Sequence, residues 1–181
     1  MDSNSGFGSS GAPYEYVVAE AKNKAYKTKK TLVILGYIVY VVVFMAIFAS
    51  INPFMMALVA ITWYILFLMT WKYTQIEYEY SFFSGELTVN RILGGRIRKN
   101  IKKIRIQNFS AIFPANEANQ SKIEAFAAEN TIFAASAKDA ANLWVALWDD
   151  AETGKRMALY FEPDEKSIKI MKYYNASAMA K

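Results

Sequence analysis

The longest apolar stretch of the chain runs from Thr31 to Trp71, and its 41 residues include no Asp, Glu, Lys or Arg. Asn52 and Pro53, both turn formers, interrupt it near the middle. The segments on either side, 31–50 and 54–71, contain 20 and 18 residues. As helices they would each be roughly 27–30 Å long, which matches the hydrocarbon core of a bilayer. The pattern therefore predicts a hairpin of two transmembrane helices over residues 31–71.

Two other kinds of segment are also rich in apolar residues. One is a buried helical hairpin of a soluble protein, but so long an uncharged run is unusual in a small chain. The other is a cleaved signal peptide, whose apolar region covers only about 7–15 residues. The residues before Ser50, namely Ile47, Phe48 and Ala49, also suit cleavage poorly. Both alternatives are less favoured than the transmembrane hairpin.

Positive charge lies on both sides of the apolar stretch. Residues 1–30 carry five lysines and three acids, and residues 72–110 carry eight basic and three acidic side chains. The positive-inside rule then predicts a two-span protein of the cell membrane with both termini in the cytoplasm. The side chains expected to flank the membrane, as topology determinants, headgroup contacts and aromatic anchors, are Lys22, Lys24, Lys27, Lys29, Lys30, Trp71, Lys72 and Tyr73.

Beyond the apolar stretch the pattern changes to a period of two, which is typical of half-buried β-strands. In the first strand, Ile76 to Phe82, the Glu77 and Glu79 side chains fall on the exposed face. Further strands are predicted at Leu87 to Ile92, Arg96 to Ile101 and Phe109 to Phe113. The Gly94-Gly95 pair suits a tight hairpin turn, and Pro114 ends the fourth strand.

The rest of the chain predicts a second hairpin and a closing helix. Residues 115–142 are ambiguous, with 123–129 either a short helix or a loop and 131–135 a strand. Residues 143–148 and 156–161 predict strands around a turn at 149–154. Residues 163–174 begin with proline and acids and continue with lysines, which favours a helix. Ile168, Met171 and Tyr174 form its predicted buried stripe.

These patterns divide the chain into five parts. They are a flexible tail (1–13), a basic juxtamembrane segment with a short helix leading into the membrane (14–30), the hairpin (31–50 and 54–71), a β-rich cytoplasmic domain (72–175) and a second tail (176–181).

This layout resembles the bacterial pleckstrin-homology-like (PH-like) domains that follow paired membrane helices. The resemblance lies in a Tyr-rich strand at 78–80, turns at 84–85 and 94–95, and a basic strand with spaced isoleucines at 101–106. The ending 162–166, Glu-Pro-Asp-Glu-Lys, is similar to that of small bacterial two-span membrane proteins of unknown function. The resemblance implies an α+β membrane protein with an N-terminal two-helix transmembrane hairpin, an antiparallel PH-like β-barrel or sandwich and a C-terminal helix. It implies no known activity.

The composition restricts the chemistry that this chain can perform. It contains no cysteine and no histidine, so zinc sites, Ser-His triads and Cys-His dyads cannot be built from it. The acid pairs Glu77/Glu79 and Asp149/Asp150 are predicted to be solvated, on a strand face and in a turn. We therefore expect no catalytic residue, no metal, no cofactor and no enzymatic activity.

The most distinctive polar feature is a set of seven cations in a segment that has no acid between Leu87 and Asn116. They are Arg91, Arg96, Arg98, Lys99, Lys102, Lys103 and Arg105. Near a bilayer, each would be attracted to the anionic leaflet by about 1 kcal/mol. The alternatives are a protein partner or a solvated strand face with Ile97, Ile101, Ile104 and Ile106 directed into the core. Nucleic acid is not expected, because no aromatic residues are interleaved with the cations.

The sequence therefore predicts a membrane-anchored, non-catalytic binding or scaffold module that presents a PH-like domain at the cytoplasmic face. The alternatives are an accessory subunit of a larger membrane complex and an anionic-lipid-binding module. The expected partners are the lipid bilayer, anionic headgroups, and other membrane proteins or further copies of the chain.

Overall fold

A computed structural model of the chain describes residues 13–21 and 24–179, apart from the side chains of residues 24, 25 and 53. The predicted N-terminal tail therefore lies almost wholly outside the described residues, as does Lys22. Of Lys24 only the backbone is described. The described part consists of a helical hairpin and two four-stranded sheets.

The apolar stretch forms two helices, α1 (Lys24–Ile51) and α2 (Met56–Thr70), joined by a 3-10 turn at Pro53–Met55. The turn lies where Asn52 and Pro53 predict it, and the Asn52 side chain accepts a 3.0 Å hydrogen bond from the Phe54 backbone N–H. Helix α1, and α2 together with the 3-10 turn that follows it (Trp71–Thr74), are long and apolar enough to cross a membrane. In the most apolar 18 residues of the first and the second span, 0% and 6% are buried, whereas the core helices of a soluble protein are mostly buried.

Two tyrosine–threonine hydrogen bonds connect the helices. The Tyr40 hydroxyl lies 2.5 Å from the Thr62 hydroxyl, and Tyr37 pairs with Thr70 in the same way. Each threonine hydroxyl also contacts a carbonyl of its own helix, at 2.7 Å for Thr62 and 2.6 Å for Thr70. Because a hydroxyl has one proton, the threonine donates to its carbonyl and accepts from the tyrosine. These polar groups thus satisfy one another inside the hairpin.

The first sheet contains β1 (Tyr14–Ala19), β2 (Ile76–Phe83), β3 (Glu86–Leu93) and β4 (Ile97–Arg105), in that order and all antiparallel. The registers of β3 and β4 shift between Val89 and Asn90, which face Lys102 and Asn100. Ile101 is the extra residue of this β-bulge. A bulge changes the face to which the following side chains point.

Strand β1 corrects the predicted division of the chain. Residues 14–19 form a strand that pairs along its whole length with β2, where a helix leading into the membrane was expected. The reason is a period of two, since Tyr14, Tyr16 and Val18 all pack against the core. The hairpin is therefore inserted between the first two strands of the sheet, and the β-rich domain begins before the hairpin and not after it.

The second sheet contains β5 (Ala111–Pro114), β6 (Asn130–Phe133), β7 (Trp144–Asp150) and β8 (Lys155–Phe161), in the order β5-β7-β8-β6. Strand β6 pairs in parallel with β8, so the expected antiparallel arrangement is wrong here. The ambiguous region before it forms a 3-10 turn (Glu117–Asn119) and helix α3 (Gln120–Phe126). Among the described strands, β4 and β5 do not pair, so the domain is a sandwich and not a closed barrel.

The main core lies between the two sheets. Its fully buried side chains include Tyr80, Leu87, Ile106, Trp148 and Leu159. On the other face of the second sheet, Ile123 and Phe126 of α3 pack near Phe113 and Val145. Ile104 and Ile106 are buried as predicted, Ile101 is half-buried, and Ile97 is 40% exposed, which corrects its predicted core position.

Helix α4 (Glu165–Tyr174) closes the sandwich, followed by α5 (Ala176–Met179). Met171 is buried as predicted, but Ile168 and Tyr174 are half-buried, and Ser167 and Ile170 are the other buried residues of this helix. Ser167 is buried because its hydroxyl and N–H both bond the Asp164 carboxylate that caps the helix. Residues 176–179 are not a tail, because Ala178 is buried in the core.

Candidate binding surface

The first sheet has one end beside the helical hairpin and one end away from it. At the base end, defined by Ile76, Leu93 and Ile97, only Gln75 separates β2 from the 3-10 turn (Trp71–Thr74) that follows α2. The opposite, distal end is defined by Phe83, Glu86 and Arg105. The cations of β3 and β4 are therefore distributed along a strand of nine residues, about 30 Å at ~3.3 Å per residue.

Gly94 fixes the position of the β3–β4 turn against the hairpin. Its N–H donates a 2.8 Å hydrogen bond to the Gln75 carbonyl. Its φ of +60° suits glycine, and a Cβ added there would lie 3.0 Å from the Lys72 Cβ. The tight turn predicted from Gly94-Gly95 thus contacts the segment that leaves α2.

The distal cations are neutralised by acids of the same domain. Lys102 lies 3.0 Å from Asp150 and 3.3 Å from Glu152. Lys103 lies 2.7 Å from Glu86, which is also 3.8 Å from Arg105. In the sequence the cations have no acidic residues between them. Their acidic partners lie in other segments, at the start of β3 and in the β7–β8 hairpin.

Asp150 is not the solvated turn residue that the sequence predicts. It ends β7 with 7% exposure and also accepts a 2.8 Å hydrogen bond from the Thr153 hydroxyl. The hydrogen bond from Lys102 lowers the pKa of the Asp150 carboxyl, and the same bond raises the pKa of the Lys102 ammonium. The pair is therefore charged across the neutral range.

We expect Asp150→Asn to lower the free energy of unfolding by about 1.5–3 kcal/mol at pH 7, because it weakens a charged hydrogen bond to Lys102. A carboxyl with a lowered folded-state pKa stabilises the fold above its unfolded-state pKa and loses this effect as the pH falls through the folded-state value. The difference between variant and wild type should therefore shrink below about pH 4. Urea unfolding at several pH values measures it, and a difference that stays constant down to pH 2 contradicts the assignment. Asp149→Asn, at the exposed neighbour, is the matched control.

Glu79 is also buried, where the alternation of β2 predicts exposure. It is 2% exposed, lies 3.1 Å from Arg98 and accepts a 3.0 Å hydrogen bond from Asn90. The register explains this cluster, since Glu79 faces Asn90, which in turn faces Asn100. Asn100 donates to Asn90 at 3.0 Å. Glu79 therefore supports the sheet and is not a free acid.

The cations at the base end have no acidic partner among the described side chains. Arg96 and Lys99 are exposed, and Arg91 lies over the Tyr78 ring at 5.9 Å. From the hairpin, Lys30 lies over the Trp71 ring at 5.3 Å and Lys72 over the Tyr73 ring at 5.2 Å. The structure thus places these five cations and the two predicted interfacial aromatic residues at the base end.

A cleft of about 420 Å³ opens at the distal end, between β4 and the β7–β8 hairpin. Its charged lining consists of Glu86, Lys102, Lys103, Arg105, Asp149, Asp150 and Glu152. Because three cations face four acids and most of them are paired, the cleft presents no strong charge of one sign. Across residues 13–21 and 24–179, no group of three His, Cys, Asp or Glu side chains is placed to hold a metal ion.

The comparisons with known proteins define the class of this chain. A family model described as bacterial PH-like domain (DUF6106) matches residues 13–181. The chain belongs to this family, which confirms the PH-like resemblance. The match begins at the residue before β1, in agreement with a domain that includes this strand. No curated protein and no solved structure matches the chain.

Proposed function

We propose that the protein is a membrane-anchored, non-catalytic binding module, whose α1–α2 hairpin spans the cell membrane and holds the PH-like domain at its cytoplasmic face. The observation that carries this proposal is that two short connections join the hairpin to the PH-like domain. Four residues separate the end of β1 from the start of α1, and one residue separates the 3-10 turn behind α2 from the start of β2. Both connections lie at the base end, so the domain is fixed close to the bilayer surface.

The surface of the hairpin supports membrane insertion. Large apolar side chains are exposed along both helices, and lipid is the solvent in which such a surface is stable. The threonine and tyrosine hydroxyls between the helices are satisfied internally, as a span through lipid requires. The lysines at the start of α1, Lys72 and the uncharged turn favour cytoplasmic termini.

A non-catalytic role is supported by the family and by the composition. The PH-like family suggests a binding module. The chain has no histidine or cysteine, and the buried acids Glu79 and Asp150 are occupied by ion pairs with Arg98 and Lys102.

Membrane insertion is tested by Val42→Arg, at an exposed position near the centre of α1. A charge at the centre of a span costs about 2.5–3.5 kcal/mol of insertion free energy. We expect the wild-type chain to stay in the membrane pellet after alkaline carbonate extraction, and much less of the variant to do so. Val17→Arg is the matched control, because Val17 is 47% exposed on β1. Equal release of the two variants, or carbonate release of the wild-type chain, would reject the proposal.

One observation favours a second candidate function, that of a subunit in a larger membrane complex. Tyr64 lies near the middle of α2 with 56% exposure, and its hydroxyl has no partner among the described residues. A helix of another membrane protein would supply one. Gentle detergent extraction from native membranes tests this candidate. A partner that copurifies with wild type but is lost with Tyr64→Phe supports it, and purification of the monomer alone contradicts it.

A further inference from the structure

We infer that the base-end cations form a contact surface for anionic lipid headgroups of the same bilayer that holds the hairpin. The surface consists of Lys30, Lys72, Arg91, Arg96 and Lys99. The inference rests on the proposed membrane insertion and names the ligand chemistry of the domain's membrane-facing end. It assigns no such role to Lys102, Lys103 and Arg105.

Position is the first argument. Gly94 contacts Lys72, and Arg96 follows it within the same turn. In the strand register, Lys99 faces Arg91, which faces Tyr78, two residues into β2. All of these residues lie within about two strand positions of the base end. When α2 spans the bilayer, the base end is the part of the domain nearest to the headgroups.

The aromatic partners of two cations are the second argument. Tryptophan and tyrosine concentrate at the level of the headgroups, because their rings are amphipathic. Trp71 and Tyr73 follow α2 directly, and Lys30 and Lys72 lie over their rings. These contacts leave the ammonium charges without a counter-ion. Both lysines are therefore held at the depth at which lipid phosphates lie.

The charge distribution is the third argument. The acids of the base end are Glu20, Glu77 and Glu79, and Glu79 is occupied by Arg98. Lys27 and Lys29 of α1 add further positive charge beside the five cations. At the distal end, by contrast, Glu86, Asp150 and Glu152 neutralise the three cations of β4. Among the described side chains at the membrane side of the sheet, seven cations thus outnumber the two acids without an ion pair, Glu20 and Glu77, so the excess positive charge lies there.

The test uses the full chain reconstituted into bilayers that contain both phosphatidylcholine and phosphatidylglycerol. Spin-labelled versions of the two lipids report how strongly each associates with the protein, from the fraction of motionally restricted label. The test variant carries Arg91→Gln, Arg96→Gln and Lys99→Gln. The control variant carries Lys155→Gln, Lys169→Gln and Lys172→Gln, three exposed lysines of β8 and α4. Both variants lose the same charge.

The control positions lie away from the base end. Lys155 faces Asp150, the partner of Lys102, and α4 ends with Tyr174 against Gly85 in the distal turn. A cation close to the surface contributes about a fivefold preference for anionic lipid. We expect wild type and control to prefer phosphatidylglycerol by at least about fivefold, and the preference of the test variant to be at least about fivefold smaller than theirs. The preference should also weaken between about 0.05 M and about 0.5 M salt.

Two results would overturn the inference. One is an equal association of both lipids with the wild-type chain, and the other is an equal loss in the test and control variants. Carbonate extraction of the same samples separates the inference from the proposed function. Release of the wild-type chain by carbonate rejects both, whereas an inserted chain without a phosphatidylglycerol preference rejects only the lipid surface.

Discussion

Deletion of residues 13–19 is expected to unfold the PH-like domain, although in the sequence the hairpin separates these residues from the rest of the domain. They carry β1, all six residues of which pair with β2. Tyr16 stacks on Tyr80 with ring centroids 6.1 Å apart, and Val18 is 8% exposed. Losing three packed side chains, at about 1.5–3 kcal/mol each when fully buried, removes much of the 5–15 kcal/mol that stabilises a typical domain.

The first residue of β1 adds a polar connection to the other side of the domain. The Tyr14 hydroxyl donates to the Asp164 carboxylate, and Lys166 lies 4.2 Å from the centre of the Tyr14 ring. Burial, together with this hydrogen bond, raises the pKa of Tyr14 to about 12, so the phenol stays protonated at neutral pH. Strand β1 therefore connects β2 with Asp164, the cap of α4. Deletion of β1 exposes the edge of β2 and this cap.

A spliced chain tests this prediction without the hairpin. The Glu20 N–H donates to the Ile76 carbonyl at 3.0 Å, so residues 13–21 can be joined to residues 75–179 by a short Gly/Ser turn. We expect the spliced chain to be soluble and to unfold cooperatively in urea. The matched control is 75–179 alone, which should be protease-sensitive. Equal stability of the two chains would show that β1 is dispensable.

Substitution of Tyr80 should have the second large effect, because this residue connects both sheets. Its ring is 0% exposed and meets Phe161 edge to face. Its hydroxyl donates to the Ala134 carbonyl and accepts a 3.3 Å hydrogen bond from the Glu162 N–H. Burial raises the pKa of Tyr80, so the hydroxyl is protonated and can donate at neutral pH.

Tyr80→Phe is expected to lower the free energy of unfolding by about 1–3 kcal/mol, because the buried Ala134 carbonyl then loses its donor and the partly buried Glu162 N–H loses its acceptor. Tyr80→Ala should cost about 3–5 kcal/mol, since it also leaves a cavity. Urea unfolding of the spliced chain measures both. Tyr173→Phe, at a side chain that is 72% exposed, is the control and should change little. A Tyr80→Phe variant as stable as this control would contradict the role of the hydroxyl.

The sequence predicts those elements that local periodicity determines. The two apolar segments became α1 and α2, and the alternating segments after Trp71 became β2, β3, β4, β7 and β8. Strand β1 was missed because its partner is distant in the chain and the lysines after it suggested a membrane-proximal helix. Its signal was present in the alternation of Tyr14, Tyr16 and Val18.

The charge pairing of the candidate surface could not be predicted in the same way. Lys102 reaches Asp150 because the extra residue Ile101 changes the face to which the following side chains point. No residue in this segment signals a bulge, and the partner comes from the second sheet. Glu79 was misjudged for a related reason, since Arg98, Asn90 and Asn100 cover it from two neighbouring strands. Ion pairs between residues that are distant in the sequence therefore determine which cations have an acidic partner.

In the proposed topology the hairpin crosses the membrane and the PH-like domain lies on the cytoplasmic side. The natural chain has no cysteine, so single cysteines can be placed at Phe54 in the turn and at Ala151 in the β7–β8 hairpin, both exposed. Intact cells are treated with a membrane-impermeant maleimide. With this topology we expect Phe54→Cys to be labelled in intact cells and Ala151→Cys only after permeabilisation. Labelling of Ala151→Cys in intact cells, or the same accessibility at both positions, would contradict it.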